Sequence, residues 1–175
     1  MKKTIVRIPL PKVAQKHNFD CGAAALKSVY EYENPDDIND ISKYIKLLGS
    51  SEKDGTDTIS LELACELLGL KVFKHSNMSL KRLEKEIDTG SPVLCLIRSN
   101  DHGHFVIAIG TDKENIYFED PYKKKLNGFL KKQEFFERWT EGDTISDLHR
   151  FGLVIKTGYL GKKKEIKANV ITGGQ

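Results

Sequence analysis

Apolar residues recur at three- and four-residue intervals through the first half of the chain, which is the spacing of amphipathic helices. The first such stretch starts at Gly22 and stops at Asn34 and Pro35, where the chain turns. Later stretches stop at glycines, the residue type that most often follows a helix. The pattern predicts helices in segments 22–33, 38–48, 61–68 and 80–87, with a short strand at 70–73 between the last two.

The second half of the chain has a different pattern, because its apolar segments are short and rich in β-branched residues. Segments 92–97 (PVLCLI) and 104–109 (HFVIAI) read as core strands. The turn DKEN at 112–115 joins the second of them to a strand at 116–118, which makes a hairpin. A helix around 132–139 and a strand near 153–156 follow. Helices followed by mainly antiparallel strands predict an α+β fold.

The length of 175 residues suits one domain with a sizeable core. We expect this domain to span residues 1–160 and a flexible, lysine-rich tail to span 161–175, including Gly173 and Gly174. No apolar segment has the length of a membrane span, and the basic start is interrupted by Pro9 and Pro11 before it resembles a secretory signal. We therefore expect a cytoplasmic protein with no membrane insertion.

Charge and cysteine content exclude several classes of function. The net charge is +3, and the excess lies in lysine clusters that lack interleaved arginine and aromatic residues, which favours a solvated surface over a nucleic-acid site. The three cysteines form no CxxC pair, so neither zinc nor a disulfide framework is indicated. The loop with Asp54, Gly55 and Asp57 lacks EF-hand spacing. We expect no metal and no cofactor.

Cys21 lies at the start of the first predicted helix, directly after Asp20. If Asp20 caps that helix, the thiol lies in its first turn, where the helix dipole and free N–H groups favour a thiolate. The alternative is a small apolar residue that fills the start of the helix, since free cysteines are often buried. Cys65 and Cys95 lie within apolar segments and are expected in the core.

A cysteine nucleophile needs a base and a group that orients the base. Among the five histidines, His104 opens an apolar strand, and His102 lies two residues before it. The hairpin returns the chain so that Asp120 is expected beside His104. Taken singly, His104 could be an ordinary strand-start histidine and Asp120 an ordinary residue before a proline.

Gln15 precedes Cys21 by six residues in an extended segment. Its amide is able to fold back over the thiol and, with the main-chain N–H of Cys21, to stabilise an oxyanion formed by attack on a carbonyl. A single glutamine in a loop would not indicate an oxyanion donor, and Gln15 does so only together with Cys21, His104 and Asp120. Together they point to acyl transfer through a thioester.

Four segments resemble the bacteriocin-processing, double-glycine leader peptidases, which are cysteine-peptidase family 39 and papain-like. QKHNFDCGAAAL resembles their active-site segment, and GTDTISLELACELLGLKV resembles the loop, helix and strand that follow. GHFVIAIGTDKENIYFEDP resembles their histidine strand, hairpin and Asp-Pro, and KKQEFFERWT resembles their closing helix. The resemblance runs from about residue 8 to about residue 155.

The resemblance implies Cys21 as nucleophile, His104 as general base and acid, Asp120 as the residue that orients it, and Gln15 as oxyanion donor. His102 is then a bystander. It also implies a peptide or precursor-protein substrate, cut after Gly-Gly or Gly-Ala at the end of a leader, and an ABC exporter as partner. The sequence contains no membrane domain and no P-loop, so we expect either a stand-alone peptidase or a fragment of an exporter.

The alternatives belong to three classes. A cell-wall amidase of the NlpC type also begins with Asp-Cys, but it normally has serine after the cysteine, a shorter gap before the histidine, and an export signal. Another papain-like amidase or acyltransferase would use the same thioester. A non-catalytic peptide-binding module would keep the fold without turnover, although the presence of Cys21 argues against it. For a Gly-Gly substrate we expect a narrow channel, with an apolar groove for an amphipathic leader helix.

Overall fold

The computed structural model describes residues 7–122, 128–140 and 148–158. Within these residues the helices are α1 (Cys21–Glu33), α2 (Ile41–Leu48), α3 (Thr58–Leu67), α4 (Leu80–Asp88) and α5 (Lys132–Thr140). The strands are β1 (Lys71–His75), β2 (Val93–Ser99), β3 (His102–Thr111), β4 (Asn115–Glu119), β5 (Gly128–Lys131) and β6 (Gly152–Lys156). The α+β prediction is confirmed.

All six strands join one antiparallel sheet in the order β1-β6-β2-β3-β4-β5. Side chains alternate between its two faces, as strand geometry requires. Phe105, Ile107 and Ile109 of β3 pack with the helical first half, whereas Val106 and Ala108 pack with α4 and α5. The sheet therefore lies between two layers of helices, and each face has its own core.

The predicted helices are all present, with two starts displaced by side-chain caps. The second helix begins at Ile41 because Asp40 accepts the N–H of Ser42 at 2.9 Å, and this leaves Ile38 outside the helix and 74% exposed. The third begins at Thr58 because Asp57 accepts the N–H groups of two residues in its first turn. A capping carboxylate sets a helix start more sharply than apolar spacing does.

Strand β5 has no counterpart among the predicted elements. It has only four residues, which is too short for an alternation of apolar and polar residues to predict a strand. Its Phe129 is 62% exposed, so the strand also contributes little to the core. It forms because it pairs with β4 along the edge of the sheet. A Cβ atom on Gly128 would lie 2.6 Å from the ring of Phe118, so a glycine is needed at this approach.

The boundary between the domain and its tail stays a prediction, since the tail at 161–175 lies outside the described residues. In the described part of the chain, no helix combines the length and the apolar character needed to cross a membrane.

Gly22, the second residue of α1, is in close contact with the loop before α3. A Cβ atom at this position would lie 2.6–2.7 Å from three side-chain atoms of Thr56. The hydroxyl of Thr56 is also hydrogen-bonded to that of Ser50 at 2.7 Å, so the loop is held against the helix. The absence of a side chain on Gly22 therefore lets α3 start beside the N-terminus of α1.

We expect Gly22→Ala to destabilise the protein. Alanine gains up to about 1 kcal/mol in helix propensity, but overpacking against Thr56 costs about 1–3 kcal/mol, so the clash prevails. Urea unfolding measures the change. In a Thr56→Gly background the same substitution should cost less, because the obstructing atoms are gone. A Gly22→Ala variant more stable than wild type would contradict this contact.

Candidate active site

Cys21 is the first residue of α1, and it is 8% exposed. The three alanines that follow are fully buried, so α1 is held close to the sheet along this side. Small side chains permit that approach, because a larger residue would push the helix away from β3. The packing of the helix thus fixes the position of the thiol at its N-terminus, where free N–H groups stabilise negative charge.

Asp20 is the N-cap residue of α1, as the sequence suggests, and Cys21 therefore lies in the first turn. The side chain of Asp20, however, makes no bond to the helix. It accepts instead from the main-chain N–H of Lys16 at 3.2 Å and that of His17 at 3.0 Å. Its backbone φ and ψ of −105° and 23° differ from the extended conformation of an ordinary cap, so the carboxylate turns back toward the preceding loop.

His104 and Asp120 are in contact, as the hairpin predicts. Nε2 of His104 lies 2.6 Å from Oδ1 of Asp120, and both side chains are mostly buried. The register pairs Glu119, the last residue of β4, with Ile107 of β3, and Asp120 follows directly and bonds to His104 three residues before Ile107. The main-chain N–H of Tyr122 donates to the same oxygen at 2.9 Å, so the carboxylate is fixed as well.

Cys21 also acts on the imidazole of His104, because its hydrogen-bonding capacity and its charge raise the pKa of the ring. Because Nε2 is engaged by Asp120, Nδ1 is the ring nitrogen that is left for the thiol. Burial of the ring works against its charged form, but the hydrogen bonds and charges of Asp120 and Cys21 outweigh that effect and raise the pKa of His104 to about 9. This shift favours the charged form of the ring near neutral pH.

Gln15 lies in the same region and is 5% exposed. Its Nε2 donates to the main-chain oxygen of His17 at 2.7 Å, and its own main-chain N–H donates to the oxygen of Pro121 at 2.8 Å. The second N–H of the amide is left for another acceptor. Oε1 is buried and has no hydrogen-bond partner within the described part of the chain.

The other predicted candidates do not join this group. His102 is exposed and pairs with Ser99 of β2. Cys65 and Cys95 are fully buried. Burial raises the pKa of the Cys65 thiol to about 12 and that of Cys95 still further, so both are core residues, as their sequence context predicts. No cluster of metal ligands occurs among the described residues.

Sequence reasoning missed Glu119, the neighbour of Asp120. It is 7% exposed, and burial raises the pKa of its carboxyl to about 7, although the nearby charges of Lys12 and Arg7 act in the opposite direction. The sequence signal that could have revealed its burial is the position of an acidic residue at the end of an apolar strand. A buried carboxyl therefore directly precedes Asp120 in the chain.

A model of the Peptidase C39 family matches residues 10–146. Among curated proteins, the sublancin-168-processing and transport ATP-binding protein SunT of Bacillus subtilis (strain 168) is 24% identical over 127 residues, which are 72% of this chain and 17% of that protein. The chain therefore spans less than a fifth of the length of that relative.

Solved structures show the same fold. The peptidase domain of Streptococcus ComA, a bi-functional ABC transporter, aligns with a TM-score of 0.67 at 19% identity over 86% of this chain and 98% of that domain. A double glycine motif protease from an AMS/PCAT transporter, solved with its leader peptide, aligns with a TM-score of 0.66 at 19% identity over 89% of this chain and 100% of that one. The expected papain-like peptidase fold is confirmed.

The raised pKa of His104 gives a pH-dependent stability. A folded pKa of about 9, above the value of about 6.5 for free histidine, contributes stability that is fully present below pH 6.5 and is lost as the pH rises through 9. We expect the gap in unfolding free energy between wild type and His104→Asn to narrow by up to about 3 kcal/mol across that window.

Titration of the ring protons by NMR tests the cause of this shift. We expect His104 to titrate near pH 9 in wild type and at lower pH in Cys21→Ala, which lacks the contribution of the thiol. His102→Asn is the matched control, since an exposed histidine two residues away should leave the curve unchanged. The same His104 titration in both proteins would contradict the contribution of Cys21.

Proposed function

The chain belongs to the Peptidase C39 family and is a cysteine peptidase, and we propose that it cuts peptide bonds with Cys21, His104 and Asp120 as its catalytic triad. The observation that carries this proposal is the 2.6 Å hydrogen bond between Asp120 and His104, on a ring whose pKa is also raised by Cys21. This supports the order of nucleophile, base and orienting group that thiol catalysis requires.

In the proposed mechanism, His104 holds the proton taken from Cys21, and the sulfur attacks the carbonyl carbon of the scissile bond. The electrons of the carbonyl move onto its oxygen. When that oxyanion collapses, the C–N bond breaks and His104 gives its proton to the leaving amine. A water molecule then loses a proton to His104, attacks the thioester and releases the acid, while Cys21 leaves as thiolate.

Gln15 supplies the proposed oxyanion donor. One N–H of its amide is bonded to the oxygen of His17, and the other is available to the developing charge together with the main-chain N–H of Cys21. The link from Gln15 to Pro121 supports this assignment, since it ties the donor to the residue that follows Asp120. The proposed oxyanion donor and the base are therefore both held by hydrogen bonds to the adjacent residues Asp120 and Pro121.

We infer that the substrate is a precursor peptide cut after Gly-Gly or Gly-Ala at the end of its leader. Two findings support this reading: a relative named for processing and transport of sublancin-168, and a similar fold described as a double glycine motif protease in complex with a leader peptide. Both belong to transporters, so we infer that the chain works with an ABC exporter on the cytoplasmic side of the membrane.

An exposed apolar stripe on α3 is our candidate for the leader-binding surface. Ile59, Leu63 and Leu67 recur every four residues, and each is 53–77% exposed. The helix starts two residues after Thr56, and Thr56 contacts Gly22, the residue that follows Cys21, so the start of α3 lies near the start of α1. A leader helix whose last residues enter the site would place its apolar face along this stripe.

The cleavage assay uses a synthetic peptide with an amphipathic leader that ends in Gly-Gly, followed by a short cargo sequence. We expect wild type to cut after the second glycine and Cys21→Ala to leave the peptide intact, because the variant lacks the proposed nucleophile. Mass spectrometry of both products identifies the bond.

The products also separate the remaining functions. Transfer of the acyl group to an added amine in preference to water would indicate an acyltransferase. Binding of the peptide without cleavage, with Cys21 alkylated no faster than glutathione, would indicate a peptide-binding module and contradict the proposed function.

The leader surface has its own test in Leu63→Glu. A charge in the middle of the stripe should raise KM for the leader peptide about tenfold or more, while kcat stays unchanged, because the stripe binds ground state and transition state equally. Phe129→Glu, at an exposed apolar residue on the opposite edge of the sheet, is the matched control. Equal KM values for the two variants would overturn the assignment of this surface.

A further inference from the structure

Asp20 is fully buried next to the nucleophile in the chain, and its side chain makes no bond to the helix. Burying a carboxylate costs much free energy unless several donors surround it. Its partners therefore show what this carboxylate stabilises. They lie in the loop before it, between Gln15 and the start of α1.

The three donors to Asp20 come from two adjacent residues. One oxygen accepts the main-chain N–H of His17 at 3.0 Å, and the other accepts the main-chain N–H of Lys16 at 3.2 Å. Nδ1 of His17 also lies 3.1 Å from the second oxygen. His17 is thus attached to the carboxylate through its backbone and through its ring, and the ring is further stacked on Phe19 at 5.0 Å.

His17 in turn orients Gln15. Its main-chain oxygen accepts from Nε2 of Gln15 at 2.7 Å. That bond distinguishes the two ends of the amide, because a flipped side chain would place Oε1 against another oxygen. The direction of the free N–H of Gln15 consequently depends on the position of the His17 carbonyl, and that position depends on Asp20.

We propose that Asp20 is a positioning residue for the oxyanion site. Its carboxylate holds His17, the carbonyl of His17 holds the amide of Gln15, and the amide meets the oxyanion formed at Cys21. Asp20 touches neither the substrate nor the reacting atoms in this arrangement. The inference rests on the proposed function, in which Gln15 is the oxyanion donor.

Two reactions of the same thiol separate this role from a general effect on the fold. Acylation of Cys21 by the p-nitrophenyl ester of acetyl-glycylglycine forms an oxyanion, and it releases p-nitrophenol, which is followed by absorbance. Alkylation by iodoacetamide displaces iodide at a saturated carbon and forms no oxyanion. Loss of the oxyanion site slows the first reaction alone, whereas damage to Cys21, His104 or the fold slows both.

Asp20→Asn keeps the size of the side chain but turns one acceptor oxygen into a donor that faces an N–H group. We expect acylation to slow at least tenfold and alkylation to stay at least as fast as in wild type. Gln15→Ala should slow acylation about 100-fold or more, the usual effect of removing one oxyanion donor. Acylation of Asp20→Asn at the wild-type rate would overturn the proposal.

The double variant Gln15→Ala with Asp20→Asn gives the sharpest result. If Asp20 acts only through Gln15, the double variant should be acylated no more slowly than Gln15→Ala alone. Effects that multiply would mean that Asp20 acts by another route and would overturn the proposal. His17→Phe, which keeps a ring on Phe19 but lacks Nδ1, should show a smaller loss of acylation and normal alkylation.

Asp112→Asn is the matched control, because Asp112 also accepts main-chain N–H groups in a turn, at the far end of the β3–β4 hairpin. It should lose stability without changing the ratio of acylation to alkylation. A change of that ratio equal to the change in Asp20→Asn would overturn the proposal. Failure of wild type to be acylated faster than glutathione would instead contradict the proposed function itself.

Discussion

The hydrogen bond between His104 and Asp120 connects the sheet to the chemistry of the site. It spans the open end of the β3–β4 hairpin at 2.6 Å, and it occupies Nε2 of the imidazole. The other nitrogen is thereby left for the thiol, and burial makes the paired charges count for more than they would in water. Without this bond the imidazole would have no fixed orientation toward the helical half.

Main-chain hydrogen bonds also join the helical half of the molecule to the β3–β4 hairpin. The N–H of Ile8 donates to the oxygen of Ile109, where the pairing of β3 with β4 shifts its register, and the N–H of Gln15 donates to the oxygen of Pro121. The segment before α1 therefore runs from the middle of the hairpin to its open end. Cys21 follows six residues after Gln15, so the nucleophile is carried to the base by a segment that is itself attached to the sheet.

Local sequence patterns accounted for most of the fold and for the proximity of His104 to Asp120, because helix spacing and a four-residue hairpin turn are local signals. They did not reveal β5, which depends on its partner strand, or the burial of Glu119, which depends on the segment packed over it. Asp20 before a helix looks like a cap, yet its carboxylate turns back to Lys16 and His17. The same loop is bonded to Pro121 through the main-chain N–H of Gln15, and a contact between residues so far apart in the chain leaves no local pattern in the sequence.

The most direct test of the account is to map the covalent intermediate. Wild-type protein is mixed with the Gly-Gly leader peptide, quenched in acid within one turnover, digested and examined by mass spectrometry. The expected result is the leader fragment attached as a thioester to the peptide that contains Cys21, and its absence in the Cys21→Ala protein. Cleavage of the leader without any adduct on Cys21, or with the adduct on another residue, would contradict the central claim.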